Sequence, residues 1–299
     1  MKRRTVLAAA VLIPLATGCP HPVVAPPRKK VALVLGGGGA RGFAHVGVLR
    51  VLADEHVPID LVVGSSAGSL IGAFYADRGS VDRLERIAAT ITQDDVFDFS
   101  LFGLSKGPLA GAALERLVER NLHTKSFEGL RVPFVAVATD LDTGAEVELD
   151  SGPIGSAVRA SSAIPGVFRP VPFGTQTLVD GGVVSPIPVA VARRRGADIV
   201  IAVDISQELP PERAENAYAI AMRSFSILSR EVARTQLKSA DVVIAPAVGD
   251  LSPFDFTHSA PLIAAGGEAA RIALPAIRAA LASPRLTAST PPAGSTSSP

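Results

Sequence analysis

The sequence predicts an α/β fold, a mostly parallel central sheet with helices packed on both faces. Two observations lead there. Short, almost wholly apolar runs recur at 31–35, 59–63, 132–139, 199–203 and 242–245, the pattern of strands buried on both sides. Helix-length segments lie between them, so strand and helix alternate along the chain. With 299 residues, 47% hydrophobic and 19% charged, a single large domain over 30–282 accounts for the body.

The elements follow in order. The strand 31–35 runs into the glycine-rich loop 36–42, which opens a helix ending near His56. The strand 59–63 leads through Gly64-Ser65-Ser66-Ala67-Gly68 into a second helix. Further helices are expected at 81–91 and 109–122. The apolar strand 132–139 is followed by 145–149 as the return arm of a hairpin. A short helix at 154–160 and a short strand at 177–179 precede Asp180-Gly181-Gly182. Then come the helix 189–195, the strand 199–203, a long helix 214–237, the strand 242–245 and a last helix at 262–281.

Both ends fall outside this domain. Lys2-Arg3-Arg4 and the apolar stretch 6–15 read as a signal peptide over 1–18, too short to span a bilayer. Leu15-Ala16-Thr17-Gly18-Cys19 resembles the lipobox of bacterial lipoproteins, with Ala16 where that pattern prefers a larger aliphatic residue. The resemblance implies lipidation of Cys19, the only cysteine, and a membrane-anchored domain in the bacterial cell envelope facing periplasm or exterior. Arg3-Arg4-Thr5-Val6-Leu7 is also faintly similar to a twin-arginine signal. Residues 19–29 read as a proline-containing tether. Residues 283–299, rich in Ser, Thr, Pro, Ala and Gly, read as a disordered tail.

Composition narrows the chemistry. A net charge of +1, no Trp and two Tyr give no reason to invoke nucleic acid. One Cys and five scattered His show no metal-ligand spacing, and no cofactor is expected.

Ser66 is the nucleophile candidate. A serine on a sharp strand-to-helix turn exposes its hydroxyl beside helix N–H groups, and flanking glycines permit the strained backbone. Gly103-Leu104-Ser105-Lys106-Gly107 matches the same pattern, but no apolar strand precedes it and Pro108 follows, so Ser105 is rejected. The loop Gly36-Gly37-Gly38-Gly39-Ala40-Arg41-Gly42 contains the glycine pattern of dinucleotide sites. The next strand carries its acid, Asp60, at the wrong end for a ribose, and the loop lacks a Walker lysine. The better use is an oxyanion hole beside Ser66. Arg41 is a candidate for an anionic headgroup or for orienting the loop. Among possible bases, His258 alone lies where a hydrolase triad would want it, without a convincing acid. Asp140, Asp180 and Asp204 stand at strand ends, and Gly181-Gly182 let the Asp180 carboxylate approach another backbone closely.

These motifs together resemble the patatin-like phospholipases, in particular their bacterial and neuropathy-target-esterase-like branch. The resemblance rests on residues 37–42, 64–68 and 180–182, with Ala160-Ser161-Ser162-Ala163-Ile164-Pro165-Gly166-Val167-Phe168 ahead of the acid, and spans about 31–247. It implies a three-layer α/β/α fold and a Ser66–Asp180 dyad without histidine. It also implies an oxyanion hole from Gly37, Gly38 and Gly39, and fatty acyl esters of phospholipids or lysophospholipids as substrates. A thioesterase or small-ester esterase, and a non-catalytic envelope lipoprotein, are the rival expectations. Phe97, Phe99, Leu101, Phe102 and Leu104 form an apolar cluster suited to an acyl groove, to membrane contact or to ordinary core.

Overall fold

A computed structural model of the chain describes residues 28–99, 107–206 and 214–283. Cys19, the signal peptide, the second Gly-x-Ser-x-Gly match with Ser105, the apolar residues 101, 102 and 104, and nearly all of the tether and tail lie outside them.

The strands are β1 (Val31–Leu35), β2 (Leu61–Ser65), β3 (Phe134–Asp140), β4 (Glu146–Leu149), β5 (Val171–Phe173), β6 (Gln176–Asp180), β7 (Ile199–Val203) and β8 (Val242–Ile244). The helices are α1 (Phe43–Asp54), α2 (Ala67–Arg78), α3 (Val81–Ala88), α4 (Gln93–Val96), α5 (Ala112–Asn121), α6 (Ile154–Ser161), α7 (Val189–Arg194), α8 (Ala217–Leu237) and α9 (Ser259–Ala282). One sheet runs β5-β6-β3-β2-β1-β7-β8, with β4 also paired to β3. The pairs β1–β2, β1–β7, β2–β3 and β7–β8 are parallel. The pairs β3–β4, β3–β6 and β5–β6 are antiparallel, so the expected parallel sheet carries an antiparallel flank.

Alternation along the strands builds two cores. Val31, Leu33, Leu35, Val62, Ala136, Ile199 and Ile201 face one side, which α1, α2, α3, α5, α6 and α9 cover. Ala32, Val34, Val63, Val137, Val200 and Ala202 face the other, covered by α7 and the C-terminal part of α8 through Ala233 and Leu237. Each Val, Leu or Ile among them, fully buried, contributes roughly 1.5–3 kcal/mol, and each Ala less. Several boundaries differ from the sequence reading for local reasons. Asp60 is outside β2 because its carboxylate accepts the Val31 N–H (2.8 Å) and pairs with Arg28, so the strand begins at Leu61. The helix expected over 81–91 is α3, whose Ser80 cap accepts the Arg83 N–H, and it stops at Ala88. β5 and α4, three and four residues long, were too short to be read as periodic.

The topology brings two distant segments together on β3. β4 pairs with Ala136–Thr139, and both β2 and β6 pair with residues overlapping that stretch. A strand has two edges, so β2 and β6 share the other one. They run head-on along it. Val137 pairs with Ser65 and the next residue, Ala138, pairs with Asp180. Neither strand can continue. A Cβ on Gly181 would lie 2.2 Å from the Val137 carbonyl oxygen and 2.6 Å from Ser65 Oγ, so only glycine lets the chain turn away there.

The segment Phe256–Ala282 is long and apolar enough to cross a membrane by length and composition. In this fold its helix packs along α1 at backbone distance: a Cβ on Gly266 would lie 1.9 Å from the Ala44 oxygen, and one on Gly47 1.8 Å from the Ile263 oxygen. The neighbouring Gly267 has no atom nearer than 3.7 Å to such a Cβ. Gly266→Val should therefore destabilise the protein by about 3 kcal/mol, the upper range for an overpacked core. Gly267→Ala should be neutral or stabilise by up to about 1 kcal/mol through helix propensity. Urea unfolding of the two variants checks this.

Candidate active site

Ser66 stands where β2 gives way to α2, at φ 51° and ψ −122°. Among the described residues only His56 is another non-glycine with positive φ. Such a conformation costs on the order of 1–3 kcal/mol and persists only where its surroundings over-determine it. Here they do. A Cβ on Gly64 would lie 2.4 Å from the Gly68 oxygen, and one on Gly68 2.0 Å from the Leu35 oxygen. The Ser66 N–H donates to Ser161 Oγ at 3.0 Å, and that hydroxyl donates to the Val137 carbonyl at 2.6 Å. The Ser66 carbonyl accepts from Ser69 N, Ser69 Oγ and Leu70 N.

Asp180 is buried at the meeting point of β6 and β2. Its Oδ1 accepts the Gly182 N–H at 2.7 Å, and its Oδ2 makes no hydrogen bond among the described residues. Burial pushes the carboxyl up to about 6, opposed by the nearby Ser66 hydroxyl and the Gly182 N–H. The Ser66 hydroxyl thus lies close enough to influence the carboxyl, while among the described residues no aligned hydrogen bond joins the two. The other carboxylates considered lie elsewhere. Asp140 is held by Thr143 Oγ1 and Asp204 by the Ser206 N–H, and neither borders the cavity described below.

The glycine-rich loop is pinned at several points. The Gly36 N–H donates to Val203 O, and His45 Nε2 bonds the Gly36 carbonyl at 2.9 Å. The Gly37 N–H donates to Pro186 O at 3.0 Å. That corrects the reading of three oxyanion donors: Gly37 is committed, while among the described residues the N–H groups of Gly38 and Gly39 are unengaged. Gly37 serves by its lack of a side chain, since a Cβ would sit 3.3 Å from Ser66 Cβ. Arg41 is buried, donates from Nε to the Gly38 carbonyl at 3.0 Å and has no partner at Nη1 among the described residues. Burial lowers it to about 10, against the pull of Asp204, so it stays charged at neutral pH.

Ser66, Asp180, Gly37–Gly39 and Arg41 line one cavity of about 410 Å³. α8 forms the opposite wall with Ala219, Met222, Ser226 and Ser229, beside Ile164 and Phe254. Among the described residues no histidine lines it. His45 is buried and pushed down to about 4, His123 bonds Asp77, and His258 is half-exposed beside Asp255. Of the apolar cluster, Phe97 packs within 6 Å of Phe168, Phe254 and Phe256, and Phe99 is 72% exposed. Neither touches the cavity. Ser161 and the α8 wall went unassigned in the sequence, although the paired serines ending α6 were a signal for the first.

Ser161→Ala would leave the buried Ser66 N–H unsatisfied, at a cost of about 1–3 kcal/mol, and loosen the turn. Turnover should fall roughly ten- to a hundredfold with KM little changed, because the displaced group is Ser66, the candidate nucleophile, and not a substrate contact. Steady-state kinetics and thermal melts of the variant check both.

Comparison with known proteins agrees with this geometry. A family model described as patatin-like phospholipase matches residues 33–193, over half the chain. Patatin-like phospholipase domain-containing protein 6 of Mus musculus is 38% identical over 186 residues, covering 60% of this chain and 14% of that one. An uncharacterised NTE family protein of Mycobacterium tuberculosis is 37% identical over 186 residues, covering 62% of this chain and 51% of the relative. The chain thus spans about half or less of these relatives. The crystal structure of VipD from Legionella pneumophila shares the fold, with a TM-score of 0.57 at 13% identity over 85% of this chain and 67% of that one. The glycine-rich loop, the Ser66 elbow and the Asp180 turn all fall inside the matched span, and the chain belongs to the patatin-like phospholipase family.

Proposed function

We propose that the protein is a serine acyl hydrolase that cleaves fatty acyl esters of phospholipids or lysophospholipids with a Ser66–Asp180 dyad. One observation carries the reading most: a strained, positioned serine beside a buried carboxylate whose Oδ2 has no partner. As Ser66 Oγ attacks the ester carbonyl, its proton passes to Asp180 Oδ2. The Gly38 and Gly39 N–H groups, with the N-terminus of α2, stabilise the oxyanion. Collapse releases the alcohol, which takes the proton from Asp180, and leaves an acyl-serine. Water then gives its proton to the same carboxylate and its hydroxide to the acyl carbon. Fatty acid departs and the proton returns to Ser66.

A fluorophosphonate probe should label the protein and fail to label Ser66→Ala, with Ser105→Ala labelled normally. In-gel fluorescence decides it, and labelling of Ser66→Ala would remove the nucleophile assignment.

Asp180→Asn should lower fatty acid release from phospholipid by roughly two to four decades. The rate of the parent should rise with pH through about 6 and then level, since the base works when ionised. Stability should move oppositely. A carboxyl raised in the fold favours folding at low pH, and that contribution is lost as pH rises from its ordinary 3.8 through about 6. Above pH 7, Asp180→Asn should therefore be more stable than the parent, by up to about 3 kcal/mol, with the gap closing toward pH 4. Titration of fatty acid release and melts across pH test the two signs separately.

A further inference from the structure

The segment that follows the Asp180 turn cannot hold itself in place. Ser185-Pro186-Ile187-Pro188 has a proline at every second position, so half its residues lack an N–H and it cannot pair along its length as a strand. Ser185 and Ile187 are nevertheless buried, and a buried backbone donor needs an acceptor. The Ser185 N–H donates back to the Gly181 carbonyl at 2.7 Å. The Ile187 N–H has no backbone acceptor among the described residues. It donates at 3.0 Å to Oε1 of Gln236, one residue from the end of α8. The same carboxamide donates from Nε2 to the Val184 carbonyl at 3.3 Å and to Ser185 Oγ at 3.2 Å. An amide carries its acceptor and its donors on one plane, and here they grip the residues on both sides of Pro186. Pro186 is the residue that reaches the glycine-rich loop. It lines the cavity, and its carbonyl accepts the Gly37 N–H at 3.0 Å. The Ala40 N–H donates to the Pro253 carbonyl at 2.7 Å. Gly38 and Gly39, with N–H groups unengaged among the described residues, are suspended between these two anchors.

We infer that Gln236 is a positioning residue for ester hydrolysis: by clamping Val184, Ser185 and Ile187 it fixes Pro186, and through Pro186 the direction in which the Gly38 and Gly39 N–H groups point. The inference rests on the proposed roles of Ser66, Asp180 and the glycine-rich loop. It adds to them a side chain that, among the described residues, does not line the cavity. Consecutive glycines have no side chains to lock their backbone, so Gly37–Gly39 keep only the geometry their anchors impose. Donors to an oxyanion act by being aimed in advance, and an anchor that slackens costs that aim. The clamp reaches the carboxylate as well. Val184 and Ser185 both donate to the Gly181 carbonyl, the next residue after Asp180, so one amide on α8 steadies the turn of the proposed base and the loop of the proposed donors together.

In the full-length protein, Gln236→Met keeps the length of the side chain and removes its hydrogen bonds to Val184, Ser185 and Ile187. Turnover of a soluble acyl ester is divided by the number of sites that a fluorophosphonate titrates, so that unfolded molecules do not count. On that basis kcat should fall roughly ten- to a hundredfold, with KM within about twofold of the parent. Inhibition by a long-chain trifluoromethyl ketone, whose serine adduct carries an oxyanion, should weaken in the same proportion. Val118→Ala, a buried change on α5 away from the cavity, should lower the melting temperature and leave both quantities at parental values. Gln236→Glu still accepts from Ile187 but, when ionised, cannot donate to Val184; it should move both quantities in the same direction by less, and serves where Gln236→Met does not fold. The inference is overturned if the folded Gln236 variants keep their kcat per site and their ketone affinity, if only their melting temperature moves, or if Val118→Ala reproduces the loss. An active parent with unchanged variants overturns this inference alone, whereas a parent that hydrolyses no ester and takes no fluorophosphonate overturns the proposed function and this inference with it.

Discussion

The shared edge of β3 is the constraint on which the site depends. Two strands from distant parts of the chain run toward each other along it, and their last residues occupy neighbouring rungs, Ser65 opposite Val137 and Asp180 opposite Ala138. Each blocks the other, so each must leave the sheet. β2 leaves through the Ser66 turn and β6 through Gly181-Gly182. The strained serine and the buried carboxylate are thus two products of one collision. Thr139 Oγ1 adds a bond to the Asp180 carbonyl, and Ser161 ties the Ser66 N–H to Val137, so β3 holds both partners.

That arrangement explains what the sequence disclosed and what it withheld. The Ser66 turn was legible because it is local: an apolar run, a serine framed by small residues, then a helix. Asp180 was legible for the same reason, through the two glycines after it. Their meeting was not legible, because it depends on register against a third strand some seventy residues from one and forty from the other. The engagement of Gly37 was hidden for a similar reason, since its acceptor, Pro186, is far along the chain. Of the antiparallel flank, β4 was legible as the return arm of a hairpin, while β5, with three residues, one of them Pro172, offers no periodicity.

Burial at the site works in opposite directions on its charged groups. The same desolvation that lifts Asp180 toward neutral pH, where a carboxylate can act as a base, lowers Arg41. It lowers His45 far enough to make that ring a neutral strut on the Gly36 carbonyl rather than a titrating group. The cavity therefore keeps a cationic arginine while the buried carboxyl beside Ser66 is lifted to about 6.

The parallel pairing of β1 with β2 has a mechanical consequence. Leu35 sits opposite Gly64, so the Ser66 turn and the glycine-rich loop leave adjacent rungs of one ladder. Their separation is set by interstrand spacing, roughly 4.8 Å, which a sheet holds stiffly. The reactive half of the cavity behaves as a fixed jaw. Its opposite wall is a long helix with one buried residue, fastened mainly near its C-terminal end. Whatever must yield to admit an acyl chain yields on that side, and the compliance of the enzyme is a property of a single cantilever.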